Sequence, residues 1–230
     1  MTAQRWAFAW KRSLLFTGFW QPLLGLLGMV FLALMAQARD PVAMSIGFSA
    51  VAGVGSLVAG VQAALMFAPA DEPALELLLA SPRPAAYLLL ERLIIVVGLN
   101  TLVAVLGAVF FTRLFPTDTF VDQLVRWFAP MIAMTGLGMW ISIITRRSNY
   151  GMLIVILFSG AMLFGGAYVL IELFELGWLI VMYPPLDVLT PDHYLINRVF
   201  LTAFGLVLIA LTFWHIREPE HLIGAAHTAV

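Results

Sequence analysis

The chain has 230 residues, of which 62% are hydrophobic and 11% charged, with a net charge of −1 and a mean hydropathy of +0.99. A soluble domain runs at roughly 45–50% apolar and about 25% charged, so this composition excludes a soluble globular domain, a disordered chain and, with no cysteine, a disulfide scaffold. It describes a polytopic membrane protein with no electrostatic case for nucleic acid.

In chain order, the first element is an amphipathic stretch. At 100° per residue Trp6 and Trp10 fall on one side and Arg5 and Arg12 roughly on the other. Such a segment lies in the membrane interface, with indoles at headgroup depth and cations toward lipid phosphates. The basic start followed by an apolar run ending Ala36-Gln37-Ala38 also has the outline of a signal peptide. It is taken here as a retained anchor.

A spanning helix needs roughly 20 apolar residues. Six segments qualify, over about 22–38, 43–68, 86–111, 128–145, 150–174 and 199–216. The expected fold is therefore all-α and integral to the membrane, one domain over 1–230. With the N-terminus inside, the inner segments hold Arg5, Lys11, Arg12, Arg83, Arg92, Arg146, Arg147 and Arg217. The outer segments hold Arg39, Arg113, Arg126 and Arg198. This bias predicts a multi-pass protein of the cell membrane with both termini cytoplasmic. Arg92, near the inner end of the third span, is expected to snorkel toward the surface.

The inner link after the second span reads Asp71-Glu72-Pro73-Ala74-Leu75-Glu76-Leu77-Leu78-Leu79-Ala80-Ser81-Pro82. An acidic start, a turn or two of leucines and a proline stop predict a short amphipathic helix, too short to span. Its leucines need a cover, either a groove on another protein or the membrane surface. The outer link before the last span carries Trp178-Leu179-Ile180-Val181-Met182, then Pro184-Pro185 and Pro191. The run is too short to cross and the prolines forbid a continuous helix, so a short outer helical hairpin is expected.

Within the spans the central polar positions are Gln62 and Asn100. Either lines a pathway or donates an interhelical hydrogen bond, and the structural role is the favoured one. No span places a carboxylate near its middle, which weakens an ion-coupled transporter. Glycines gather in the second, fourth and fifth spans, at positions such as 53, 55, 60, 136, 138, 160, 165 and 166, and permit close helix approach. There is no GxxxxGK[ST], GxSxG or HExxH motif, so no catalysis is expected in the chain itself. The four scattered histidines suit no metal site.

The run Leu75-Glu76-Leu77-Leu78-Leu79-Ala80-Ser81-Pro82 resembles the "TLELLL-x-SP" signature that comes after the second span of type-2 ABC transporter permeases. Here Ala74 stands where that family often has threonine, and Pro73 where glycine is common. Thr135-Gly136-Leu137-Gly138-Met139-Trp140-Ile141-Ser142 with Arg146-Arg147 resembles the family's glycine-rich fourth helix and basic inner loop. Asn197-Arg198-Val199 and Glu220-His221-Leu222-Ile223-Gly224 resemble the opening and the acidic close of its sixth helix. The resemblance implies the six-helix permease subunit of an ABC exporter, paired with a second permease subunit. ATP and Mg would sit on a separate ATP-binding subunit, with no cofactor in this chain. The link after helix two would be a coupling helix, with Asp71, Glu72, Leu75, Glu76, Leu77, Leu78 and Leu79 contacting the ATPase. The alternative expectation is a non-transporting membrane scaffold or assembly subunit.

Overall fold

The computed structural model describes residues 20–36, 41–66, 68–69, 85–114, 119–183 and 189–217, and contains no strand among them. The expected interfacial helix (Arg5, Trp6, Trp10, Arg12) and the expected docking residues 71–79 lie outside the described residues. The helices are α1 (Trp20–Ala36), α2 (Pro41–Met66), α3 (Ala85–Leu114), α4 (Phe120–Thr145), α5 (Ser148–Ala161), α6 (Ala167–Leu173) and α7 (Pro191–Ile216). A π-helical turn, Met162–Gly166, joins α5 to α6, and a 3-10 turn, Gly177–Ile180, comes after α6.

The chain is an all-helical protein with three helices long and apolar enough to cross a membrane, at Ala85–Phe110, Phe120–Thr145 and Pro191–Ile216. Shorter apolar stretches fall in α1, α2 and α5. The exposed large side chains of α1, α3, α5 and α7 are overwhelmingly apolar, including Leu24, Phe31, Ile94, Leu102, Leu157, Val199 and Val207. In water this surface would be unstable. Against lipid it needs no partner.

Two helices begin well before the expected spans. Hydropathy alone starts the fourth at 128 and the last at 199, but α4 begins at Phe120 and α7 at Pro191. The physical reason is capping. Thr119 accepts from the backbone N–H of Asp122 while the Asp122 carboxylate accepts from the backbone N–H of Thr119, a capping box. Thr190 accepts from the N–H of His193, and Pro191 occupies the first turn, where its missing donor costs nothing. Arg126 and Arg198, expected in outer loops, therefore lie inside helices. At the far end of α4 Arg146 takes a left-handed conformation (φ 62°) and its N–H bonds to the Ile143 carbonyl, closing the helix before α5.

The bundle is built around α4, two-thirds of whose apolar stretch is buried, against about a quarter for α7. It packs on α2, α3, α5 and α7. Glycines allow backbones rather than side chains to meet. Gly138 faces Gly60 of α2, and Gly136 faces Gly205 of α7. A Cβ added at Gly205 would lie 2.6 Å from the carbonyl carbon of Ile132. Small residues at crossings of this kind are what dispersion-driven packing in lipid requires. A second notch, at Gly107 of α3, receives the ring of Trp127.

Candidate functional site

Three polar arrangements interrupt the apolar bundle. The first joins α2 and α3 in the interior. Asn100 Nδ2 donates to Gln62 Oε1 at 2.7 Å and to the Val96 carbonyl at 2.8 Å, and both side chains are buried. The two central polar residues thus meet each other. Their geometry is that of an interhelical hydrogen bond, the structural alternative of the two considered. Such bonds in membrane proteins are worth about 0.6 kcal/mol on average and up to about 1.7. Asn100→Leu should therefore destabilise the protein by about 1 kcal/mol in a denaturant titration. The Gln62→Leu/Asn100→Leu double variant should cost less than the sum of the singles, because the pair is lost only once.

The second arrangement closes the base of the link that carries residues 71–79. Arg92, 3% exposed, donates from Nη1 to the carbonyl of Met66 at 2.6 Å. Met66 is the last residue of α2, where carbonyls lack partners and the helix dipole is negative. A guanidinium from α3 therefore caps α2. The two helices are clasped where the link leaves one and rejoins the other. Snorkelling, the expected behaviour of Arg92, gives way to this capping role, which depends on the α2–α3 register.

The third arrangement anchors the segment that folds back before α7. After the 3-10 turn the chain runs through Val181, Met182 and Tyr183, all buried. Asn197 Nδ2 lies 2.8 Å from the Trp178 carbonyl, 2.9 Å from that of Leu179 and 3.1 Å from that of Val181. Arg198 Nη1 donates to the Met182 carbonyl at 3.1 Å. The hydroxyls of Tyr183 and Ser56 are hydrogen bonded, which ties the segment to α2. Burial pushes the Tyr183 phenol above the usual tyrosine range, against the opposing effect of hydroxyls on Ser159 and Ser56. The Trp178 and His193 rings stack at 4.5 Å. The expected outer hairpin is here a single 3-10 turn with a return segment. Its non-helical backbone is satisfied by protein groups, the condition for irregular chain at membrane depth.

In the sequence, Asn197 and Arg198 stand out only as the opening of a helix. The available signal is their polarity inside the apolar periodicity of 191–216, which marks a partnered position. In comparisons with known proteins, no family model, no curated protein and no solved structure matches the chain.

Proposed function

We propose that this chain is the membrane-spanning permease subunit of an ATP-driven ABC exporter, working with a second permease subunit and a separate ATP-binding subunit. The carrying observation is the order of elements: six apolar helical segments, with a folded-back 3-10 turn before the last. That order agrees with the sequence signature after the second span. On this reading the protein is a six-span component of the cell membrane with both termini cytoplasmic. ATP binding closes the partner's ATPase, the link at 71–79 carries the motion inward, and the spans switch access between sides. The Arg92 clasp supports this role, because a displacement of the link reaches α2 and α3 together. The apolar spans favour an amphipathic or hydrophobic substrate.

The test is the partner. The protein purified in mild detergent should bring down a P-loop ATPase, and Glu76→Arg should cut ATP turnover of the complex at least tenfold. Absence of any associated ATPase would remove the proposal. The glycine-lined crossings at α4 favour a second reading, a rigid scaffold subunit of a larger complex. That reading expects a stable complex whose partners hydrolyse no ATP.

A further inference from the structure

We propose that Arg126 and Arg198 form a binding site for the phosphate of an anionic lipid headgroup, at the end of the bundle where α4 and α7 begin. The inference is independent of the transport reading. It starts from the depth of the two residues. Helices rise 1.5 Å per residue, so Arg126 lies about 9 Å, and Arg198 about 10 Å, inside the start of its helix. The helices run parallel. Arg126 acts electrostatically on Arg198 near their starts, and Gly136 meets Gly205 further along. Each helix has 26 residues, about 39 Å, against roughly 30 Å of hydrocarbon. The two guanidinium groups therefore belong near the boundary between headgroups and acyl chains.

Arginine at this depth ordinarily snorkels outward. Arg198 does not. It is 3% exposed, held by the Met182 carbonyl and lying 4.6 Å above the Tyr194 ring. Its Nε is shielded and meets no acceptor. Among the described residues, the groups that act on its charge are Tyr194, Arg126 and Tyr183, with no carboxylate. A second cation beside a buried one raises the cost of both, and an anion is the chemistry that offsets it. Half-buried Arg126 supplies the approachable edge of the site and Arg198 its base. Guanidinium forks match phosphate oxygens in paired hydrogen bonds. The lipid source is argued from depth and from the exposed apolar Leu195 and Val199 on the flank of α7 next to Arg198, where acyl chains lie.

The experiment compares the full chain in nanodiscs of phosphatidylcholine alone and of phosphatidylcholine with phosphatidylglycerol. Thermal unfolding is monitored, and retained lipid is measured by native mass spectrometry. The expected result is a rise of several degrees in the wild type with phosphatidylglycerol, and co-retention of that lipid. Arg126→Gln should lose most of the rise. Arg198→Lys, which keeps the charge but not the fork, should keep only part of it and covers the case in which Arg198→Gln fails to fold. Arg113→Gln, exposed at the end of α3, should respond as wild type does. An equal loss in Arg113→Gln would reduce the effect to general surface charge and overturn the proposal. An equal rise from inorganic phosphate in phosphatidylcholine discs would overturn the lipid source. If Asp187→Asn destabilises the protein as Arg198→Lys does and no variant responds to phosphatidylglycerol, the chain supplies its own counter-charge and the site is refuted.

Discussion

Gly205→Val is expected to be the most damaging single substitution among the helix crossings. At this position α7 lies against the backbone of α4, and an added Cβ would fall 2.6 Å from the Ile132 carbonyl carbon and 2.7 Å from the Ala133 nitrogen. Backbone cannot yield as the end of a flexible side chain can. Overpacking in a well-packed core costs about 1–3 kcal/mol, and a backbone collision belongs at or above the top of that range. The two helices must separate or tilt, and the contact is shared with Gly136 on the opposite face. Loss of a monodisperse peak in detergent, with a drop in thermal stability, is the expected reading. Gly98→Ala, where added carbon meets nothing within 4 Å, is the control and should be neutral or slightly stabilising. Equal behaviour of the two variants would show that close approach at Gly205 does not hold the bundle together.

The second large effect is expected at Asn197→Leu. One buried amide serves the carbonyls of Trp178, Leu179 and Val181, and leucine fills the volume without serving any of them. Leaving a buried acceptor unmet costs about 1–3 kcal/mol. Some of these carbonyls will find water or lipid headgroups, so a total near ~3 kcal/mol is expected rather than the full sum. The consequence is local. Hydrogen exchange should rise sharply over 177–183 while α4 stays protected. Uniform loss of protection would mean that the return segment is part of the global folding unit rather than a strap laid upon it.

Helix existence was legible from hydropathy because a bilayer demands long apolar runs. Helix starts were not, because hydropathy responds to apolar side chains and ignores caps. The Thr119 to Asp122 spacing and the Thr190-Pro191 pair carry the missing information. They moved Arg126 and Arg198 from loops into helices, and with them the chemistry at that end of the bundle. Gln62 and Asn100 were visible as polar positions, but their meeting depends on how α2 and α3 are rotated against each other. No residue pattern within either helix specifies that rotation. Arg92 is the same case, since its acceptor is a backbone carbonyl and leaves no trace in the sequence.

The π-helical turn at Met162–Gly166 has a consequence for chain length. Along α5, the turn and α6 the buried positions include Val155, Ser159, Met162 and Ala167. Their spacings are four, three and five, and the five falls across the turn. A regular helix would need four there to keep one stripe facing inward. The turn is therefore one residue's worth of surplus chain, absorbed without rotating α6 away from the bundle. Removing one residue between Leu163 and Gly166 would turn the kinked element into a plain helix and keep Ala167 on the inner side. The same deletion elsewhere in α5 would swing every later side chain by about 100°. This is the one place in the span where the chain can change length while keeping its face.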